Sequence, residues 1–287
     1  MNKNSNKILV HLHLFYHNQI DYFISKLSNI DGCDWDLYVT VCEENKASTK
    51  KLLKLKPDVK IVKVENIGYD IYPFIQVCRM VNLDDYDYVL KIHTKNYRKV
   101  EHKFKEANVT VVKYSWRNDL VNVLIGSKNI FKENLKILSK KNAGIILSKK
   151  FLFPLRDRIE DTYLLENLKI ELNLKSSYKY YCAGTMFIIR SELLKTLVNS
   201  NISERNFIVK EQHTEDNGKF VHAVERIFTI LVNNEGYNIY VREVDDRNKL
   251  KIFLQNIFSI KNENHHIVIT IIGIKLKFKS KKRTNKK

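Results

Sequence analysis

YVLKIH, Tyr88–His93, is a short apolar run closed by the polar pair Thr94 and Lys95, and it reads as the fourth strand of a series. Upstream, KILVHL (Lys7–Leu12), DLYVTVC (Asp36–Cys42) and VKIVKVE (Val59–Glu65) read as three earlier strands. Helical spacings separate them: Ile20, Phe23, Ile24 and Leu27 first, then Leu52, Leu53 and Leu55 ahead of Pro57, then Tyr72–Val81 with Pro73 in its first turn. Strands alternating with helices in this way predict a three-layer α/β sandwich around a mostly parallel sheet, because parallel neighbours need crossover connections. Ligands of such sheets bind beyond the carboxyl ends of the strands. Chemistry is therefore expected in 12–16, 42–45, 66–74 and 93–98.

Further along, DLVNVLIGS (Asp119–Ser127) reads as a helix and NAGIILS (Asn142–Ser148) as a strand. A charged stretch, Asp157–Lys179, carries Leu164, Leu165, Leu168 and Leu172 at helical spacing. YCAGTMFIIR (Tyr181–Arg190) reads as a turn and a strand, and HAVERIFTILVNNEG (His222–Gly236) as a helix that ends at a glycine. With no repeats or long linkers, residues 1–255 are read as one domain.

The chain has 287 residues, 44% hydrophobic and 29% charged, with 3 prolines, which excludes disordered, collagenous and disulfide-stapled classes. No run of 18 apolar residues occurs and the amino end is polar, so neither a spanning helix nor a secretory signal is expected. The four cysteines lie far apart and read as reduced thiols. Net charge is +18, of which the eight basic residues from Gly273 onward supply +8 and the preceding 272 residues +10. That asymmetry points to a polyanionic partner for the tail. At strand period, Ile274, Leu276 and Phe278 fall on one face of the tail and Lys275, Lys277 and Lys279 on the other, which suits a short β-hairpin or an interfacial arm.

Three segments carry candidate chemistry. In NIGYDIYPF (Asn66–Phe74), Gly68 permits a tight turn, and Asp70 either caps the helix or accepts from a ribose or base. From Lys91 to Lys105 six basic residues face Glu101 alone; this is either a phosphate-binding lip or a solvated basic loop, but a loop leaves His93 unexplained. His222, Glu225 and Arg226 share a helix face, either as a surface ion network or as a general base beside a cation. His11, His13, Cys33 and Cys42 lack zinc-ligand spacing, and no metal site is expected.

In order and in motif these segments resemble the rhamnan synthesis protein F family of bacterial cell-wall rhamnose polysaccharide, O-antigen and lipopolysaccharide assembly. The matching pieces are VHLHLFY (Val10–Tyr16), DLYVTV (Asp36–Val41), NIGYDIYPF, YDYVLKIHTK (Tyr86–Lys95), WRNDL (Trp116–Leu120) with Gly126 and Ser127, AGTMFIIR (Ala183–Arg190) and HAVERIF (His222–Phe228). The resemblance implies a GT-A-like, Rossmann-type glycosyltransferase with a donor-binding half over about 1–115 and an acceptor half over about 116–255, followed by a short apolar, then polybasic tail over 256–287. Its reaction would move rhamnose or a related hexose from a nucleoside-diphosphate donor to a growing lipid-linked surface glycan, by inverting displacement.

Carried onto this chain, the resemblance puts His13, Tyr16, Asn66, Gly68, Asp70, His93, Thr94 and Lys95 around the nucleotide sugar, and Ala183, Gly184 and Thr185 at the border of acceptor and donor sugar. Glu225 becomes the base, with His222 or Arg226 orienting it or contacting phosphate. Ordinary members of the fold end the fourth strand in an Asp-x-Asp metal motif. Here it ends in His93-Thr94-Lys95, which implies no required cofactor, although Mg²⁺ or Mn²⁺ could arrive with the diphosphate. The expected location is cytoplasmic, peripheral on the inner face of the cell membrane, with residues 273–287 meeting anionic lipid. Nucleic acid is not an expected partner: the body shows neither zinc finger nor paired aromatic sheet motif. A non-catalytic assembly subunit retaining the fold is the other alternative.

Overall fold

The computed structural model describes residues 6–155, 159–208, 220–243, 258–263, 266–271 and 274–279, with 159–161 and the last three segments described by backbone alone. By contact density the chain divides into two compact units, Met1–Glu243 and Val244–Lys287.

The first unit opens with β1 (Lys7–His13), α1 (Ile20–Leu27), β2 (Asp34–Val41), α2 (Lys46–Leu55), β3 (Lys60–Lys63), α3 (Ile71–Met80) and β4 (Tyr88–His93). The central strands β1 and β4 form because their residues are buried on both faces: Ile8, Leu9, Val10 and Leu12 of β1 are all fully buried, the continuous apolar pattern of a central parallel strand. In α1 the buried side chains are Ile20, Phe23 and Leu27, one stripe of a helix. The α2 helix starts where the Asn45 side chain accepts from the Ser48 amide at 2.9 Å and stops two residues before Pro57.

After β4 comes a ribbon, β5 (Arg98–Phe104) and β6 (Val109–Lys113). The basic loop expected here is thus an antiparallel hairpin, anchored by Phe104 against Trp116 and Phe153 with ring centroids 5.0 and 5.4 Å apart. Then follow α4 (Ser115–Ile125), α5 (Lys128–Leu138), β7 (Ala143–Ser148), the short antiparallel pair β8 (Leu152–Pro154) and β9 (Tyr180–Cys182) enclosing α6 (Ile159–Glu171), β10 (Phe187–Arg190), α7 (Lys195–Val198), α8 (Glu204–Ile208), α9 (Phe220–Asn234) and β11 (Asn238–Arg242).

Among the described residues seven strands make the central sheet, in the order β11-β7-β10-β4-β1-β2-β3. Six run parallel; β10 runs against both its neighbours, with Phe187 opposite Lys91 on one side and Leu147 on the other. This is the mostly parallel, Rossmann-type α/β sheet that the sequence led us to expect. One side of it is packed by α3 and α9, where Phe74, Phe187 and Phe228 meet with centroids 4.9–6.0 Å apart.

The antiparallel course of β10 matters for the site. Its amino end lies beside the carboxyl end of β4, so the turn Ala183–Thr185 that leads into it arrives at the ligand-binding edge.

In the second unit β12 (Phe258–Glu263), β13 (His266–Ile271) and β14 (Ile274–Lys279) form an antiparallel sheet, one strand more than the hairpin expected from sequence. Register places Ile274, Leu276 and Phe278 on one face with Ile271, Ile269 and Ile267, and Lys275, Lys277 and Lys279 on the other with Thr270, Val268 and His266. The rest of the expected polybasic arm, Gly273 and 280–287, lies outside the described residues. Among the described residues no helix is long and apolar enough to cross a membrane.

Candidate active site

The site starts with a lysine inside a strand. Lys91 belongs to β4 and its side chain has no exposed surface. Its ammonium needs partners there, since an uncompensated buried charge is costly. It donates to the Asp70 carboxylate, to the Thr185 carbonyl at 2.9 Å and to the Thr185 hydroxyl at 3.0 Å. The Thr185 hydroxyl donates in turn to Asp70 Oδ2 at 2.6 Å. Burial alone would raise the pKa of Asp70, but His93, Lys91 and Lys95 outweigh it and hold the carboxyl well below the usual carboxylate range.

Asp70 sits at the start of α3 without capping it, so of the roles open from sequence the helix cap is not the one adopted. Gly68, two residues before it, has φ +65°, and a Cβ there would stand 2.7 Å from that of Tyr72. Only glycine makes that turn without strain.

The Ala183–Thr185 turn closes on the same point. Gly184 has φ +90°, and a Cβ on it would fall 2.8 Å from Leu120 Cδ1 and 3.0 Å from Trp116 Nε1. Thr185 follows at φ +48°, an unfavourable value for a β-branched residue, and its bonds to Asp70 and Lys91 hold it there. The Gly184 carbonyl accepts from His93 Nε2 at 2.7 Å, and the Gly184 amide donates to Glu225 Oε1 at 2.8 Å. One peptide segment therefore links β4 to α9.

His93 is buried, with Nε2 also 3.4 Å from Asp70 Oδ2. Burial, with Lys95 and Lys91, drives its pKa well down against the pull of Asp70. Its Nδ1 lies 2.9 Å from the Thr94 carbonyl, so both ring nitrogens face carbonyl oxygens, which only an imidazolium would satisfy fully. With two ammonium groups nearby we favour the neutral ring, its single proton on Nε2 in the shorter contact.

Lys95 is half-buried, its ammonium 4.3 Å above the Trp116 ring. Burial lowers its pKa, while Asp70 and then Glu225 raise it. Among the described residues it forms no ion pair, so this cation stands at the edge of the sheet with acidic groups near but not bound.

The structure thus brings together Asp70, His93, Lys95, Gly184, Thr185 and Glu225. The rest of the expected set lies around them. His13 is turned into the sheet, its Nδ1 2.9 Å from Thr40 Oγ1, and burial lowers its pKa to about 4. Thr94 spends its hydroxyl on the chain, accepting from the Phe15 and Tyr16 amides at 3.1 and 3.2 Å. Tyr16 packs edge-on against Phe15 at 4.9 Å, and Asn66 is exposed. Ala183 is buried beneath the turn. His222 and Arg226 flank Glu225 on α9, half-buried, with the Arg226 guanidinium 5.5 Å from the Tyr181 ring. Sequence reasoning counted Lys91 among the basic residues of a phosphate-binding lip or solvated loop; instead it is buried in the strand and spent on Asp70 and Thr185. The signal was there: period two puts Lys91 and His93 on one face of β4.

Among the described residues no group of three or more His, Cys, Asp or Glu could hold a metal ion. The end of β4 is a poor cradle for one on chemical grounds too, since Lys95 and His93 occupy it and Asp70 is engaged by Lys91. A separate cavity of about 530 Å³ opens on the same edge of the sheet, where β2 and β3 end, lined by Val41, Asn45, Lys46, Lys50 and Lys63 among others.

A Rossmann-type sheet with a buried, charged cluster at its carboxyl edge defines the class, an α/β protein whose candidate site lies where such sheets hold ligands. The chain belongs to the rhamnan synthesis protein F family, whose model matches residues 1–237. A relative in Xanthomonas campestris pv. campestris, the uncharacterized protein WxcX, is 23% identical over 194 residues, covering 67% of this chain and 26% of WxcX. The chain therefore spans about a quarter of that relative's length. Among solved structures, a mannosyltransferase from Pyrobaculum calidifontis in complex with GDP-Man and Mn²⁺ aligns over 84% of this chain and 56% of its own, at TM-score 0.43 and 11% identity. TarS of S. aureus aligns over 76% and 55%, at TM-score 0.40 and 12% identity. At such distances neither structure's ligands transfer to this chain.

Proposed function

We propose that this chain is a nucleotide-sugar-dependent glycosyltransferase of surface-polysaccharide assembly, moving rhamnose or a related hexose to a lipid-linked glycan. The observation that carries the reading is the cluster at the carboxyl end of β4: Lys95, a lysine without an ion-pair partner among the described residues, and the carboxylate of Glu225, both at the Gly184 turn. Lys95 would meet the departing diphosphate, where a fixed cation stabilises charge as it develops and costs no reorganisation. Glu225 would take the acceptor proton, and Asp70, its Oδ2 clamped by Lys91 and Thr185, would hold a donor hydroxyl through Oδ1. Asn66, Gly68 and Tyr16 border the donor, Ala183–Thr185 the acceptor, and His222 or Arg226 orient the base. The nucleoside would run along the sheet edge toward the β2–β3 cavity. We assign the donor half to about 1–115 and the acceptor half to about 116–255.

The test is a thermal-shift panel of UDP, GDP, dTDP and their sugar conjugates, each with and without Mg²⁺ or Mn²⁺. At least one nucleoside diphosphate is expected to raise the melting temperature of the wild type without added metal, and Lys95→Met to lose most of that shift. A panel without any stabilising nucleotide would sink the reading.

The tail supports a second element of the proposal, contact with the inner face of the cell membrane. Eight basic residues without an acid beyond residue 272, each worth about 1 kcal/mol near anionic lipid before screening, suffice for reversible association. Removing 273–287 is expected to abolish sedimentation with phosphatidylserine-containing vesicles at physiological salt. Equal sedimentation of the truncated protein would refute the contact.

A further inference from the structure

We infer that Gln19, Arg117 and Trp116 act as positioning residues that hold Lys95 at both ends, its carbonyl through the Gln19 amide and its ammonium through the Trp116 ring. The inference rests on the proposal that Lys95 meets the donor diphosphate, and it gives a role to the Trp-Arg pair of the WRNDL segment.

The carbonyl end is built from three elements. Gln19, 4% exposed, ends a short 3₁₀ turn after β1 and donates through Nε2 to the Lys95 carbonyl at 2.7 Å. That turn is fixed against the β4 end by Thr94, whose hydroxyl accepts the Phe15 and Tyr16 amides. The other half of the Gln19 amide, Oε1, accepts from Arg117 Nη1 at 3.0 Å. An amide fixed at its oxygen has its nitrogen aimed, so Arg117 sets which way Gln19 points.

Arg117 is itself an unusual choice for a merely structural place. It is 6% exposed, and among the described residues no carboxylate pairs with it. Its guanidinium lies between the rings of Tyr22 and Tyr114, at 3.6 and 4.2 Å, with Nε and Nη2 donating to Asn118 Oδ1 at 3.1 and 2.8 Å. Burying an arginine on aromatic faces costs desolvation that a neutral residue would avoid. What a neutral apolar residue would not supply is the donor that orients Gln19.

The ammonium end depends on the preceding residue of the same helix. Trp116 presents its ring to Lys95 at 4.3 Å and is wedged by Phe104 at 5.0 Å and Phe151 at 6.2 Å. Its indole nitrogen also lies 3.0 Å from where a Cβ on Gly184 would stand, so the same ring sets how closely the Gly184 turn approaches. Two consecutive residues at the start of α4 thereby fix the backbone and the charge of Lys95 together.

The decisive variant is Gln19→Glu in the full chain. Its carboxylate still accepts from Arg117, now as an ion pair, but it has no proton to give the Lys95 carbonyl. Affinity is measured for UDP, GDP and dTDP by calorimetry, with the unliganded melting temperature alongside. We expect Gln19→Glu and Trp116→Leu each to weaken the nucleotide that the wild type binds by about tenfold, with Gln19→Glu still showing a cooperative melting transition. Lys95→Met should weaken it at least as much, and Gln19→Glu combined with Lys95→Met should be no worse than Lys95→Met alone, the non-additivity of residues acting through one group. If Lys95→Met weakens binding while Gln19→Glu does not, or the two effects add, positioning is overturned and the reading of Lys95 stands. If Lys95→Met binds like the wild type, or the wild type binds none of the three, the reading of Lys95 fails and this inference with it.

Discussion

Lys91→Met is expected to destabilise the protein by about 3–5 kcal/mol, the usual loss when one partner of a buried pair is removed. Methionine fills much the same volume, so the loss is electrostatic: it strands the Asp70 carboxylate, and it leaves the Thr185 carbonyl without its donor. At about 2–4 °C per kcal/mol for a chain of this size, the melting temperature should fall by roughly 10 °C. The companion variant Lys91→Met/Asp70→Asn should recover part of that fall, because it removes both charges rather than one. A double variant as unstable as the single would mean that Asp70 is not the partner that matters. A single variant melting like the wild type would mean that the strand tolerates a neutral residue at this point, and that the cluster is not held together by its internal ion pair.

Glu225→Gln is expected to lower turnover by about 10²–10⁴-fold, the range for a lost general base. The choice of glutamine follows from the geometry. Glu225 Oε1 accepts the Gly184 amide at 2.8 Å, and a glutamine oxygen can keep that bond, so the turn stays in place while the basicity goes. Alanine would remove both and confuse a structural loss with a chemical one. Nucleoside-diphosphate affinity should stay within about twofold of the wild type, since Glu225 is assigned to the acceptor side. Release of nucleoside diphosphate from a nucleotide sugar is the assay. Full turnover in Glu225→Gln would move the base elsewhere, and Asp70 would be the first residue to try.

Much of the fold was legible because its central strands are buried on both faces. YVLKIH is β4 with the bounds read from sequence, and the parallel rhythm of the first four strands follows from apolar runs punctuated by helical spacing. The β5–β6 hairpin was not legible, since an exposed ribbon has no apolar face to announce it: Val100, mid-strand, is 78% exposed, and only Phe104, Val109 and Val111 look inward. Of the site, Asp70, His93, Lys95 and Glu225 could be nominated from charge and position in their elements, and Gly184 through the family resemblance. Their wiring could not. The Lys91–Asp70 pair joins residues 21 apart and the Gly184–Glu225 bond residues 41 apart, separations that only packing brings to zero. Gln19 was invisible for a plainer reason: a neutral amide in a polar turn looks like any other loop residue.

The reversed direction of β10 has an evolutionary consequence. His93 and Lys95 leave the sheet at the exit of β4, Gly184 and Thr185 enter it ahead of β10, and the ladder that sets Phe187 beside Lys91 holds these two groups in step. The eighty-odd residues of chain between them lie off that ladder's path for most of their length. Insertions or deletions in the part beyond Trp116, Arg117 and the rest of α4 can remodel what the protein accepts while leaving the reacting groups at their spacing, so length variation among relatives should concentrate between Gly126 and Ala183 and spare the two ends.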